Sequence, residues 1–506
     1  MSTITVTIKT GEEVLELAVE PGQSALDVIQ STGLEFSAPC GGNGKCGKCM
    51  VYIHEGGGSG LRLACRTDVS DQMIIELELP ATMIIQEEGI VSSYPPDTGL
   101  EGLGVALDVG TTTLACRMFD RSDGSLLASA ARMNPQAVYG ADVISRINAS
   151  VDGKLENMQE SLLRAIDQML DELLSITRKK RRDIVDFTLA GNTVMQHIAC
   201  GLPPDSIGVN PFIPLSLFGD YHTLPDMPCD IWFAPCVASY VGGDITAGMI
   251  ATNMHTAEAK QVLIDLGTNG ELALGDKTGI TACATAAGPV FEGANIYFGM
   301  PALPGAISAA WDENGQLAFE TIGGVEPKGL CGTGIIDIAA FLIKNGIVDS
   351  TGYMLDADDC PAYADRLGED NGMTIFYITD DKSLFITQRD IRNIQLGKSA
   401  VYSGIMVLLD EAGLGLDDVA RLDIAGGFGK YINLQSAAIV GIIPAEWLDR
   451  ATSVGNTSAE GASAALLSTA ARADMMALWD MTEYIELSTS PRFNEFFVDY
   501  MMFPEL

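Results

Sequence analysis

A small α+β module followed by a duplicated α/β fold is the architecture this sequence predicts, on three observations. Four cysteines, Cys40, Cys46, Cys49 and Cys65, crowd one glycine-rich stretch near the start. Two later segments, ALDVGTTTLAC (106–116) and IDLGTNGELAL (264–274), repeat one pattern: apolar strand, Asp, Gly-Thr, second strand. A third strand, 422–425, runs into the turn Gly426, Gly427, Phe428, Gly429. At 506 residues the chain is too long for one ordinary core, and roughly 150 residues per domain suggests about three units.

The first unit covers residues 1–80. Ile4, Val6 and Ile8 alternate with polar residues, as in a half-buried strand, and Val14, Leu15, Leu17 and Val19 form a second apolar run. Pro21 and Gly22 end that run, and Ser24 is placed to cap a short helix carrying Ala25, Val28 and Ile29. After the cysteine loop, strands are expected at 50–53 and 73–79. Residues 81–102, with Pro95, Pro96, Gly99 and Gly102, read as a linker. The first lobe of the α/β fold is then assigned to 103–260 and the second to 261–506. Met158, Leu162, Ile166, Met169 and Leu173 predict an amphipathic helix over 156–176. It ends in the basic run 178–182, where cations complement the helix dipole. The proline-dense stretch 203–235 predicts an irregular excursion.

Cys40, Cys46 and Cys49 form C-x5-C-x2-C, with Cys65 after a longer gap. Four thiolates can ligate zinc or an iron–sulfur cluster. Zinc sites usually come as two close pairs, whereas three ligands on one loop and a remote fourth suit a 2Fe–2S cluster better. Gly41, Gly42, Gly44 and Gly47 allow the tight backbone that aims N–H groups at cluster sulfurs.

The paired Gly-Thr hairpins suit a polyphosphate. Gly110, Thr111, Thr112 and Thr113 on one side, and Gly267, Thr268, Asn269 and Gly270 on the other, offer amides and hydroxyls to phosphate oxygens. The strand-end carboxylates Asp108 and Asp265 can hold a hydrated Mg²⁺. Gly426, Gly427 and Phe428 let backbone approach a flat ligand such as adenosine. Glu292, in GPVFEG, is a candidate for orienting the attacking water, with capping or a salt bridge as the alternative role; Asp244 is a further acidic candidate.

Lys and Arg total 30 against 67 Asp and Glu, a net charge of −37, which repels phosphate backbones and anionic lipid. Nucleic acid and membranes are therefore excluded as expected partners. The chain opens without a secretory signal pattern and has no uninterrupted apolar run of roughly 18 residues, so a cytoplasmic protein is expected. The seven remaining cysteines read as small buried hydrophobes, and the four dispersed histidines suggest no metal site.

The cysteine spacing and strand order resemble 2Fe–2S ferredoxins of the β-grasp fold, with the adrenodoxin-like first gap. The three later motifs, in this order, resemble the phosphate-1, phosphate-2 and adenosine motifs of the sugar kinase, Hsp70 and actin superfamily, a duplicated ribonuclease-H-like ATPase. A ferredoxin fused ahead of this ATPase resembles the reductive activators of corrinoid proteins. That likeness extends to TLAGNTVMQHIACG (188–201), YVGGDITAGM (240–249), AGPVFEGANI (287–296) and LCGTGIIDI (330–338). Family members often carry a longer linker, so a separate linker domain is not expected here.

The resemblance implies one-electron reduction of an inactive Co(II) corrinoid protein of a methyltransferase system to Co(I), driven by ATP. It further implies an upstream low-potential electron donor and a homodimer. The alternatives are an ATP-driven donor to another low-potential acceptor and a small-molecule kinase with a ferredoxin appendage.

Overall fold

The computed structural model describes residues 3–10, 13–34, 36, 38, 41–42, 44, 49–55, 58–77, 90, 92–426 and 431–505. They fall into two compact units, the first made of 1–85, 101–217 and 221–233, the second of 86–100, 218–220 and 234–506.

In the first unit, β1 (Ile4–Thr10), β2 (Glu13–Val19), β3 (Met50–Glu55), β4 (Gly58–Leu63) and β5 (Met73–Leu77) form one sheet in the order β2-β1-β5-β3-β4. Alternation puts Val6, Ile8, Ile53, Met73 and Ile75 on its buried face, at most 1% exposed. Helix α1 (Ala25–Thr32) covers that face with Ala25, Val28 and Ile29. It starts where expected, at a capping box of Ser24 and Asp27, and ends at Gly33 in the left-handed region. Strand β4 is a correction: its Gly58 and Gly60 carry little strand propensity, yet register with β3 (Tyr52 opposite Leu61) supplies the ladder.

The same unit holds a second sheet. β6 (Leu103–Val109), β7 (Thr113–Asp120) and β8 (Ser125–Met133) form an antiparallel meander. β9 (Ile184–Gly191) joins β6 in parallel; β10 (Tyr221–His222) and β11 (Ile231–Phe233) complete the order β10-β11-β9-β6-β7-β8. The excursion expected to be irregular thus contributes β11, whose three residues are buried against β9. Helix α2 (Val143–Ala149) precedes α3 (Leu155–Thr177), whose five predicted apolar residues are all 0% exposed. Beyond it, Arg181 pairs with Asp167 at 2.5 Å and Asp171 at 3.5 Å, a structural use of the basic run. Helix α4 (Thr193–Ala199) carries buried His197, which donates Nδ1–H to the Thr193 carbonyl and accepts the Leu215 and Ser216 amides at Nε2. That bond set orders the proline-dense stretch.

The second unit begins with α5 (Gly243–Ala251) and a sheet repeating the first design: meander β12 (Gln261–Leu266), β13 (Gly270–Asp276) and β14 (Gly279–Thr285). Two three-stranded sheets follow, β15 (Ala306–Glu313), β16 (Gln316–Thr321) and β17 (Gly329–Leu330), then β18 (Leu367–Asp370), β19 (Met373–Tyr377) and β20 (Phe385–Thr387). Helix α6 (Gly332–Lys344) lies between them, and α7 (Gln388–Ala412) comes after them. β21 (Arg421–Ala425) runs parallel to β12, α8 (Leu434–Val440) follows Asn433 as its cap, and β22 (Ala451–Gly455) pairs with β21. Helices α9 (Thr457–Leu467) and α10 (Thr469–Met481), β23 (Thr482–Ile485) and α11 (Pro491–Asp499) finish the chain. The order β22-β21-β12-β13-β14-β23 contains the same 5-4-1-2-3 arrangement as β11-β9-β6-β7-β8, so the sequence echo corresponds to a structural duplication. Helices α5 and α9 cross closely because a Cβ on Gly461 would strike the Ala247 backbone.

Residues 90 and 92–97 lie along the second unit. The Ile90 amide donates to the Val454 carbonyl at 3.2 Å, the Ser92 amide to Glu460 at 2.8 Å, and the Asp97 amide to the Leu467 carbonyl at 2.9 Å. Between them, the Tyr94 hydroxyl donates to Asp474 at 2.6 Å and lies 2.8 Å from His255 Nε2.

One buried acid gives this unit a pH signature. Asp423, fully buried in β21, accepts from Arg421 Nε at 2.9 Å, yet burial pushes its carboxyl up to about 6. An acid raised in the fold favours its protonated form, so stability is fullest below the unfolded value near 3.9 and falls as pH rises through 6. Urea denaturation should show stability declining by about 1.4 kcal/mol between pH 5 and 7.5, and Asp423→Asn should flatten that decline. An unchanged slope in the variant would assign the effect elsewhere.

Candidate nucleotide and cluster sites

Cys49 closes the glycine-rich loop at the foot of β3, and Cys65 lies in the short turn Ala64–Arg66 after β4. The Ala64 amide donates to the Cys49 carbonyl at 2.7 Å, which holds the two thiols together with sulfurs 3.2 Å apart. That separation is far beyond a disulfide of about 2.05 Å and suits two ligands facing a common centre. Gly41, Gly42 and Gly44 have φ of 58°, 85° and 68°. Glycine admits these positive φ values without the penalty a Cβ would carry. A Cβ on Gly42 would come within 3.0 Å of Leu26, so the loop is packed as well as turned. Cys40 and Cys46 lie outside the described residues, as do Gly427 and Phe428. The donor set that is described fits a 2Fe–2S cluster.

The first Gly-Thr hairpin joins β6 to β7. Asp108, 7% exposed, stands one residue from the end of β6, and Thr113 opens β7. A Cβ on Gly110 would lie 2.7 Å from the Thr113 carbonyl, so only glycine admits this turn. The turn is braced from behind by two fully buried side chains. Asn134 donates its amide to the Thr112 carbonyl at 2.8 Å and its Nδ2 to the Gly110 carbonyl at 2.8 Å. Arg146 donates to the Thr111 carbonyl at 2.5 Å, to Gln136 at 3.1 Å and to the Gly140 carbonyl at 3.1 Å.

The second hairpin joins β12 to β13. Asp265 lies opposite Glu271 in the antiparallel register, which puts both carboxylates on one face. Burial pushes the Glu271 carboxyl well above the usual range, and the carboxylates of Asp244 and Asp265 add to it, while the Asn269 side chain opposes the shift. Among the described residues no three His, Cys, Asp or Glu side chains converge as a metal-holding group. Thr268 donates its hydroxyl to Glu292 at 2.5 Å, and a Cβ on Gly267 would lie 3.9 Å from Asp265 and 4.0 Å from Glu292. Asp265, Gly267, Thr268 and Glu292 are thereby brought together. The Gly267 amide closes the turn on the Asn269 carbonyl at 3.0 Å, and Gly270 is packed against Thr285. Gly426, at φ 114°, lies over the end of β12, where a Cβ would strike the Leu266 carbonyl and reach 3.1 Å from Asp265.

Asn134, Arg146 and Glu271 were not singled out from the sequence. Glu271 had a readable signal, since a three-residue turn after Leu266 sets it across from Asp265; the other two had none. Of the seven cysteines away from the loop, Cys116, Cys236, Cys283, Cys331 and Cys360 are buried and Cys200 and Cys229 partly so. No helix among the described residues is long and apolar enough to cross a membrane.

Comparison with known proteins agrees with this organisation. Residues 8–73 match the 2Fe–2S iron–sulfur cluster binding domain, 103–257 the RACo middle region, and 259–506 the C-terminal, ASKHA domain of RACo. The corrinoid activation enzyme RamQ of Eubacterium limosum is 29% identical, with 97% of this chain and 98% of that protein aligned. That alignment runs over 582 positions, so RamQ carries stretches this chain lacks. The [Co(II) methylated amine-specific corrinoid protein] reductase of Methanosarcina barkeri is 22% identical over 78% of this chain and 76% of its own length. A solved reductive activator for corrinoid, iron–sulfur protein superposes with a TM-score of 0.72 at 27% identity, covering 99% of this chain and 98% of that one. With ferredoxin, middle and ASKHA regions matched in order from residue 8 to residue 506, the chain belongs to the family of reductive activators of corrinoid proteins.

Proposed function

We propose that this protein uses ATP to pass one electron to an inactive Co(II) corrinoid protein of a methyltransferase system, returning its cobalt to Co(I). The observation that carries the reading is the union, in one chain, of a ferredoxin module whose described thiols face each other and a duplicated fold with twin Gly-Thr hairpins. The full-length likeness to corrinoid activators supports it.

Cys40, Cys46, Cys49 and Cys65 would hold the 2Fe–2S cluster, which when bound stores and releases single electrons. Thr111, Thr112, Thr268 and Asn269 bind phosphate oxygens, with Thr113 and Gly270 setting the start of each second strand. Asp108 and Asp265 would hold the waters of a Mg²⁺, whose charge when bound would offset that of the phosphates. Glu292 fixes the Thr268 hydroxyl, and Gly426, Gly427 and Phe428 line the adenosine. The electron that leaves is replaced by an upstream low-potential donor, and nucleotide turnover resets the complex with the corrinoid protein. Domains at 1–80, 103–260 and 261–506 joined by a linker at 81–102, a cytoplasmic location and a homodimer complete the reading.

The test is the anaerobic optical spectrum of a Co(II) corrinoid protein mixed with this protein and a low-potential reductant, with and without Mg-ATP. Co(I) should form only with ATP, and not with Cys46→Ala or Asp108→Ala. No Co(I) with corrinoid proteins of several classes would sink the proposal.

A further inference from the structure

A single turn, residues 134–140, touches both the first phosphate hairpin and the cluster loop. On the hairpin side, three consecutive carbonyls, Gly110, Thr111 and Thr112, are held by Asn134 and Arg146. Arg146 is in turn bonded to Gln136 and Gly140, and the Gln136 amide donates to Asn134 Oδ1 at 2.9 Å. On the ferredoxin side, the next three residues take over. The Ala38 amide donates to the Ala137 carbonyl at 3.3 Å, Gln30 Nε2 to the Val138 carbonyl at 2.9 Å, and the Tyr139 hydroxyl to the Gln30 carbonyl at 3.3 Å. Gly41, the residue after Cys40, approaches so closely that a Cβ there would lie 2.9 Å from the Tyr139 carbonyl.

We infer that residues 134–140 are a mechanical relay, through which nucleotide on the first Gly-Thr hairpin alters the backbone of the cluster loop. This rests on the proposed function and adds to it the route from nucleotide to cluster. Asn134, Gln136 and Arg146 are each 0% exposed, and Tyr139 is 4% exposed. Buried polar networks of this kind, fully bonded in a low-dielectric interior, do not deform one bond at a time. A phosphate drawn onto the amides of 111–113 tilts those peptide planes, and the carbonyls in the same planes, those of 110–112, are the atoms that Asn134 and Arg146 grip. The displaced turn must then carry Ala137, Val138 and Tyr139, and with them Ala38, Gln30 and Gly41. Side chains of the first lobe thus act on the ferredoxin as positioning residues. They are placed on neither the phosphate nor the cluster thiols, and they act through a contiguous chain of hydrogen bonds from the hairpin carbonyls to Gln30 and Ala38.

The experiment is hydrogen exchange of the cluster-loaded, full-length protein, read at residues 36–44 with and without a non-hydrolysable ATP analogue, beside calorimetric binding of that analogue. Nucleotide should change exchange there by roughly 5- to 150-fold, the span of ordinary coupling energies. In Gln30→Ala combined with Tyr139→Phe, the analogue should bind as before, visible absorbance should persist, and the nucleotide effect at 36–44 should vanish. Two results overturn the relay while leaving the function intact: a wild-type protein that binds analogue without any change at 36–44, or a double variant that keeps the full change. Failure of the wild-type protein to bind analogue would overturn the functional reading and the relay together.

Discussion

Cys65→Ala should cut corrinoid reduction by at least about 100-fold, beyond what losing a partner around a metal ligand costs. The effect is large because the side chain has no structural substitute. It stands on a three-residue turn whose position is set by the Ala64–Cys49 bond, and the other described cysteine at that end of the sheet, Cys49, is itself assigned to the cluster. The module should survive the change, since its core of Val6, Ile8, Ile29, Ile53 and Ile75 is remote from the thiol in sequence and at most 1% exposed. The measured pattern should be loss of visible absorbance and of Co(I) formation, with nucleotide binding retained. A Cys65→Ala protein that kept both absorbance and activity would remove Cys65 from the cluster.

The second large effect is expected at Arg146. Truncating it to Leu leaves the Thr111 and Gly140 carbonyls and the Gln136 side chain short of a donor in the interior, each costing about 1–3 kcal/mol. Urea denaturation of Arg146→Leu should therefore show at least about 3 kcal/mol less stability in the first unit. Arg146→Lys separates charge from geometry. A lysine keeps the charge but cannot serve three acceptors from one planar fork, so its analogue affinity should fall as well. A lysine variant binding nucleotide like the wild type would show that the hairpin does not depend on the fork.

Much of the fold was legible because local signals and burial agreed. Ser24 with Asp27 three residues on, apolar periodicity over α3, and Asp-Gly-Thr at the ends of apolar strands each read the same way at every level. Strand β4 escaped because its glycines oppose strand formation and only its neighbour β3 compensates. Strand β11 escaped because three residues among prolines carry too little pattern to outweigh the turns. At the site, Asp108 and Asp265 announce themselves by standing at strand ends before Gly-Thr. Arg146 reads as one more exposed cation on a helix, and nothing in VISRINA says that it is fully buried and gripping a loop 35 residues earlier. Asn134 likewise reads as a turn residue. Such braces act through tertiary placement, which periodicity does not encode.

The crossing of α5 with α9 bears on how this protein can be divided for laboratory work. The match to the C-terminal domain begins at residue 259, after α5 has ended, yet α5 belongs to the second unit. Gly248 faces Leu263 and Thr457, and Gly461 lies against the Ala247 backbone, so a fragment cut at 259 would uncover the small-residue face of α9. A fragment opening upstream of residue 234 keeps that face covered. The helix that completes the ASKHA domain is thus encoded on the far side of the boundary that sequence families draw, and the gene's modular seam is offset from the protein's.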